Sequence, residues 1–272
     1  MNTLSFFYKY PQFITLLYNV KYHLEVKNKD FPMAIVGREG IGKSNFLLHF
    51  YELWYRVILE REVTADDIKN IHVQRMKWLK NFKEINPLEI NANDEAADGL
   101  AAKESMKRFG RDLEKLYKVF RKKRFISPIL TPKFFDLPKY FRERIRMCIY
   151  VDGEGHFKIY TPESLMWIEV KNKNKDIKKM EVSYPIYQGV FPIYEGVLRE
   201  PYEAMAHEGS DAILDEVIAD NTNNKRENKK AEVTLKLLEE GVSVQEAARL
   251  TGYSVPMVYK LKAIKDNEPR QV

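Results

Sequence analysis

Cysteine is nearly absent from the sequence, whose 272 residues include only Cys148. A single thiol excludes an internal disulfide bond and a cysteine-based zinc cluster, so we expect a reducing cytoplasm as the compartment. Also lacking is the apolar run of ~18 residues that a membrane span needs. The start, MNTLSFFYKYPQF, has no basic segment followed by an apolar core. We therefore expect neither a secretory signal nor a membrane partner.

Glycine is scarce too, with 12 residues, yet three of them fall in the stretch GREGIGKS at 37–44. This stretch satisfies G-x-x-x-x-G-K-[ST], the pattern of a phosphate-binding loop. Glycine allows the backbone angles that turn N–H groups inward around an anion. Lys43 then reaches the β- and γ-phosphates of ATP, and the Ser44 hydroxyl binds Mg²⁺. The alternative is a glycine-rich turn between two buried elements.

The flanks of this loop favour nucleotide binding. MAIV at 33–36 is short, apolar and partly β-branched, as a buried parallel strand should be. The segment 43–62 has no glycine or proline and carries apolar residues at helical spacing, so a helix N-terminus points at the phosphates. Nucleotide contacts are predicted for Gly37, Arg38, Glu39, Gly40, Ile41, Gly42, Lys43, Ser44 and Asn45.

Positive charge is concentrated in the middle of the chain. Residues 101–146 hold fifteen Lys and Arg against five Asp and Glu, a local excess of +10 in a chain whose net charge is +6. Such asymmetry indicates a polyanionic partner. Within it, a predicted helix ends in RKKR, and we expect Lys118, Lys122 and Lys123 to contact DNA phosphates. The alternative is an ordinary solvated helix face.

A phosphate-binding loop needs an acid to hold Mg²⁺ and often a second acid to orient water. The stretch LEINANDEAADGL offers Asp94 for Mg²⁺ and Glu95 as the catalytic acid, at the end of a predicted strand. It resembles the Walker B pattern of P-loop ATPases, although Asn91 and Asn93 interrupt the usual apolar run. The alternative is an acidic helix start capped by Asn93 or Asp94.

Three further residues fit the same plan. Thr131 ends the predicted strand FISPIL, where such ATPases place a polar sensor of the γ-phosphate or water. Arg144 and Arg146 follow in RERIR. An arginine here reaches a neighbouring subunit's phosphate, or else binds DNA or solvent.

The order of these features resembles that of the FtsK–HerA superfamily of DNA-pumping ATPases, which includes packaging and conjugation ATPases of viruses and plasmids. The resemblance covers roughly residues 30–150, and only the phosphate loop is a specific motif. It implies a RecA-like core, assembly into a homo-oligomer such as a hexameric ring, and ATP-driven movement along DNA.

The C-terminal stretch 231–266 predicts three short helices. The first ends at Gly241, Ser243 caps the second, and Ser254 caps the third after a turn at Gly252. A small core is expected from Ala247, Leu250, Val258 and Leu261. The stretch resembles the helix-turn-helix of Hin-type resolvases and invertases, whose third helix enters the major groove. The predicted DNA contacts are Ser254, Val255, Met257, Tyr259, Lys260 and Lys262.

These features predict an α/β fold: a RecA-like P-loop NTPase core, a β-hairpin-rich extension over 150–198, and a C-terminal helix-turn-helix. The expected limits are 1–200 for the ATPase domain, 201–227 for a linker and 228–272 for the DNA-binding domain. The expected function is an ATP-hydrolysing motor for DNA translocation or packaging in a virus or mobile element. The alternatives are a nucleotide-gated DNA-binding regulator and a helper ATPase for replication or transposition.

Overall fold

A seven-stranded, mostly parallel sheet forms the centre of the larger part of the chain. The computed structural model describes residues 10–94, 111, 114–120, 122–153, 155–165 and 185–266. The strands are β1 (Phe31–Val36), β2 (Ile71–His72), β3 (Ala92–Asn93), β4 (Ile126–Thr131), β5 (Met147–Gly153), β6 (His156–Tyr160) and β7 (Tyr187–Val190). Their order across the sheet is β2-β3-β4-β1-β5-β6-β7. The fold is therefore α/β, as predicted.

The two halves of the sheet differ in direction. β2, β3, β4, β1 and β5 run parallel, so their carboxyl ends lie at one edge. β6 and β7 then add to β5 as an antiparallel meander, which confirms hairpins after residue 150. Open parallel sheets bind ligands outside the carboxyl ends of their strands.

Both faces of the sheet are covered, which explains why β1 is apolar at every position. Met33 and Ile35 pack into one core, and Ala34 and Val36 pack into the other. Successive strand residues point to opposite faces, so a strand buried on both sides shows no polar alternation. β4 is likewise buried throughout.

The helices cover these faces. They are α1 (Pro11–Glu25), α2 (Lys43–Leu53), α3 (Arg75–Asn81), α4 (Lys139–Arg144), α5 (Arg199–Glu239), α6 (Val244–Thr251) and α7 (Val255–Asp266). A π-helical turn (Trp54–Ile58) extends α2, and a 3₁₀ helix (Ala65–Asn70) precedes β2. Residues 114–120 are also helical. Side chains of α1 and α2 fill one core, whereas Trp78 of α3 and Tyr117 fill the other.

The segment 201–227, predicted as a linker between two domains, is helical and lies within α5. Low hydrophobicity suggested a mobile segment. However, no glycine or proline stands between Gly209 and Gly241, so nothing in the backbone stops the helix there. Gly209 itself has a packing reason, since a Cβ at that position would lie 2.8 Å from the Cβ of Val73.

The chain divides into two compact units, Met1–Ser210 and Asp211–Val272. In the second unit the predicted ends of α6 are confirmed, whereas the first predicted short helix is the end of the much longer α5. The Ser243 hydroxyl accepts a hydrogen bond from the N–H of Glu246 at 3.2 Å, and Gly252 takes the left-handed conformation at the end of α6.

The core predicted for this second unit needs one correction. Ala247 and Val258 are fully buried, as expected, but Leu250 is 58% exposed. α6 buries Ala248 instead. At 3.6 residues per turn Leu250 lies about 200° around the helix from Ala248, so the two cannot share a face.

Within the described ranges, no helix combines the length and the apolar character that crossing a membrane requires.

Candidate nucleotide site

The loop 37–42 joins the carboxyl end of β1 to the start of α2, and its glycines have geometric reasons. Gly37 is buried, and a Cβ there would lie 2.5 Å from the carbonyl oxygen of Val151 in β5. Gly40 and Gly42 have φ angles of 72° and 100°, which side chains disfavour. The loop therefore depends on glycine at all three positions that the pattern predicted.

The helix start follows directly. The N–H of Phe46 is bonded to the carbonyl of Gly42 at 3.0 Å, and the N–H groups of the preceding turn lie at the positive end of α2. Lys43 lies in this turn, and its ammonium group donates to the carbonyl of Arg38 at 2.9 Å. The arrangement suits an anion held between the loop and the helix N-terminus.

Asp94 follows β3 and comes to the same place. Its carboxylate is buried and accepts hydrogen bonds from the hydroxyls of Ser44 and Tyr202, the latter at 2.5 Å. Burial raises the pKa of Asp94, whereas these two hydrogen bonds and the charge of Lys43 act in the opposite direction. The acid predicted for Mg²⁺ thus contacts the hydroxyl predicted for Mg²⁺.

These groups surround a cavity of about 170 Å³ at the carboxyl edge of the sheet. It brings together the loop, the end of β3, the end of β4 and the first turns of α5. The lining residues are Glu39, Gly40, Lys43, Ser44, Val73, Asp94, Leu130, Pro132, Tyr202 and Ala206. Its polar groups are of the kinds that hold phosphate and a divalent cation.

The fit to Mg²⁺ rests on oxygen donors. Ser44 and Asp94 offer one hydroxyl and one carboxylate, and Mg²⁺ commonly takes one or two protein oxygens with phosphate oxygens and water completing its octahedron. In the part of the chain that the structure describes, no three His, Cys, Asp or Glu side chains cluster as metal ligands. A site here depends on the nucleotide for its remaining ligands.

Thr131 ends β4, next to the loop, with its carbonyl accepting from the N–H of Gly37 at 3.3 Å. Its hydroxyl, however, donates to the carbonyl of Lys133 at 3.2 Å, and the cavity is lined by its two neighbours. The sensor role of Thr131 stays a prediction. Glu95, the predicted catalytic acid, lies outside the described residues.

Arg144 and Arg146 are not at this edge. The guanidinium of Arg144 pairs with both oxygens of Asp30, at 3.0 and 2.9 Å, just before β1. Arg146 is exposed, and its N–H donates to the carbonyl of Pro32. Both arginines thus lie at the amino end of the sheet, away from this chain's own loop. Their role toward a neighbouring subunit stays a prediction.

Asn45 also has a partner that the sequence did not indicate. Its side chain donates to the carbonyl of Pro192 at 2.9 Å and accepts from the N–H of Tyr194 at 2.5 Å. The amide therefore holds segment 191–194 against α2, and the nucleotide contact expected of Asn45 stays a prediction. Neither this segment nor Tyr202 was foreseen, because no local motif marks them.

The predicted DNA contacts lie in two parts of the chain, the C-terminal helix and the basic segment. Ser254, which precedes α7, is exposed, and so are Val255, Met257, Tyr259, Lys260 and Lys262 on α7.

The three lysines of the basic segment differ from one another. Lys118 pairs with Glu114 at 2.7 Å, and the ammonium of Lys123 donates to the carbonyl of Lys83 at 2.6 Å. Lys122 is exposed. The DNA contacts of all three lysines stay predictions.

No protein-family model matches the chain, and no curated protein sequence does either.

Proposed function

We propose that the chain is a Mg²⁺-dependent P-loop ATPase with a RecA-like core, acting on DNA as a translocation or packaging motor. The observation that carries the proposal is that Lys43, Ser44 and Asp94 line one cavity, of about 170 Å³. Asp94 is distant in the chain from the other two, and the sequence assigned each of them separately to phosphate and Mg²⁺. Their meeting at the carboxyl ends of β1 and β3 supports a common ligand.

The chemistry follows from the groups present. The N–H groups of the loop and of the first turn of α2 hold phosphate oxygens, and Lys43 exchanges the carbonyl of Arg38 for the β- and γ-phosphates. Ser44 and Asp94 hold the cation, which when bound neutralises charge that develops on the phosphates. Glu95 orients the attacking water in this scheme.

DNA binding rests on two surfaces. α7 presents polar, apolar and basic side chains to solvent, as a recognition helix does toward base edges and phosphates. Val255, Met257 and Tyr259 are 37%, 39% and 58% exposed, so their apolar groups are accessible to a partner. A protein-docking module is the alternative. The basic segment around Lys122 adds contacts that do not depend on sequence.

The nucleotide-gated regulator is favoured by one observation. Tyr202, in the first turn of α5, donates to the carboxylate of Asp94. A cation that binds Asp94 changes the environment of this hydroxyl, and α5 continues to Glu239. Binding alone, without work on DNA, is then sufficient to act on the helix.

The test of the ATPase is hydrolysis measured with and without duplex and single-stranded DNA, together with the size of the ATP-bound assembly. We expect DNA to stimulate turnover and ATP to favour a ring.

Lys43→Ala should abolish turnover without unfolding the protein, and Glu95→Gln should bind ATP but hydrolyse it ~10²–10⁴-fold more slowly. Normal turnover in Lys43→Ala would overturn the proposal. Stimulation without translocation would favour the regulator.

The test of DNA binding compares two variants on a selected duplex and on random duplexes at several salt concentrations. Tyr259→Ala should reduce the preference for the selected duplex, because α7 reads bases. Lys122→Ala should weaken binding to all duplexes and reduce the salt slope by up to ~0.9. Tyr22→Ala is the matched control, since Tyr22 is similarly exposed (53%) on α1. If Tyr259→Ala keeps full preference, α7 is a docking surface.

A further inference from the structure

A second cavity, of about 630 Å³, adjoins the loop 37–42. It shares Gly40 and Tyr202 with the smaller cavity around Lys43, so the two are adjacent. Its walls are largely apolar and aromatic, from Ile41, Phe191, Pro192 and Ile193. A volume of this size with such a lining is typical of a small-molecule site.

The outer wall of this cavity is held in place from three directions. The carbonyl of Pro192 accepts from the side chains of Asn45 and His49, both at 2.9 Å. The N–H of Tyr194 donates to Asn45. The N–H of Phe191 donates to the carbonyl of Gly155, in the turn between β5 and β6. The segment 191–194 is therefore preorganised.

Ile193 stands between these anchored residues, yet its side chain is 68% exposed. A side chain this exposed contributes little to the stability of the fold. It contributes to ligand affinity instead, because a preorganised wall loses little conformational entropy when a ligand covers it. The wall is therefore suited to the apolar face of a ligand.

We infer that this second cavity binds the base and ribose of the nucleoside triphosphate whose phosphates lie at Lys43 and Ser44. The inference rests on the proposed function. The smaller cavity, of about 170 Å³ and lined by charged groups, suits the phosphates but is too small for the nucleoside. Continuity through Gly40 places the larger cavity where the nucleoside must go. Ile193, Pro192 and Ile41 then contact the base.

The test is a calorimetric titration of the full chain with Mg²⁺-ATP and with Mg²⁺-tripolyphosphate, which has phosphates but no nucleoside. Ile193→Gln should weaken ATP binding about tenfold, since apolar contact is lost, and leave tripolyphosphate binding within about twofold. Ile186→Gln is the matched control, because Ile186 is 52% exposed and lines neither cavity. It should leave both affinities within about twofold.

The outcomes separate the two claims. If the wild-type chain binds both ligands and Ile193→Gln leaves ATP binding unchanged, or weakens both ligands equally, the nucleoside site is overturned while phosphate binding stands. Equal affinity of the wild-type chain for ATP and tripolyphosphate overturns it as well. If the wild-type chain binds neither ligand, the proposed function fails, and the nucleoside site fails with it.

Discussion

Two buried carboxylates lie at opposite ends of the same sheet, and their hydrogen-bond partners differ in charge. Asp30, before β1, faces the full positive charge of Arg144 through two hydrogen bonds. Asp94, after β3, accepts from the hydroxyls of Ser44 and Tyr202, with Lys43 nearby. Burial raises the pKa of both acids. The amino end is thus neutralised within the fold, whereas the carboxyl end keeps a negative group beside a cavity, as a cation site requires.

The largest expected effect comes from making the same substitution at each end. Asp94→Asn removes the only carboxylate proposed for Mg²⁺, so ATP hydrolysis should fall by at least ~10²-fold. Asp30→Asn should leave the hydrolysis rate per folded molecule within about twofold. Rates are measured at saturating ATP, with the folded fraction determined by circular dichroism. Equal losses in the two variants would show that the ends of the sheet do not differ in function.

The second effect is on stability. Arg144→Met leaves Asp30 buried without its counter-ion, and the free energy of unfolding should fall by about 3 kcal/mol. Lys139→Met on the same helix is the matched control. Lys139 pairs with Glu143 at 3.6 Å, and the two side chains are 69% and 56% exposed, so its loss should cost at most ~0.5 kcal/mol. Urea denaturation measures the free energy of unfolding of both variants. Similar losses would mean that the buried Asp30–Arg144 pair stabilises the fold no more than an exposed ion pair does.

The third effect is a pH dependence without Mg²⁺. Because the pKa of Asp94 is raised in the folded state above 3.8, its ionised form costs stability, and that cost appears as pH rises through the folded pKa. Asp94→Asn should therefore be as stable as the wild type near pH 4 and more stable at pH 8. Denaturation curves across this range test the sign. A variant less stable than the wild type at pH 8 would contradict it.

The smallest effect concerns Tyr202. Tyr202→Phe removes one donor to Asp94 and should lower the free energy of unfolding by about 1 kcal/mol. It also leaves a carboxylate oxygen available for a cation, so Mg²⁺-ATP should bind up to about fivefold more tightly. Tyr22→Phe, at an exposed position of α1, is the control and should change neither quantity. Weaker Mg²⁺-ATP binding in Tyr202→Phe would mean that the hydroxyl supports the ligand instead of competing with it.

Local features of the fold were predictable because their signals are contiguous. The strand at MAIV, the loop with its three glycines and the helix after it follow one another within a short stretch of chain. Ser243 and Gly252 likewise mark the ends of α6 where the structure has them. Each depends on backbone angles, caps or spacing that neighbouring residues determine.

Packing was less predictable than local structure, because it depends on what each helix contacts. Leu250 was assigned to a core that excludes it. The polar segment 201–227 was assigned to a linker, and its composition did not reveal that α5 runs through it.

The sequence by itself determined where a phosphate can be held, since glycines, lysine and helix start are adjacent. Only the tertiary structure decided which distant residues join them. Tyr202 and Asp94 are 108 residues apart, Arg144 and Asp30 are 114 apart, and Asn45 and Pro192 are 147 apart. The pairing of β1 with β5 brings Asp30 near Arg144, whereas the packing of α5 and of segment 191–194 brings the other two pairs together. A motif encodes local geometry, but contacts across the fold depend on how whole strands and helices pack.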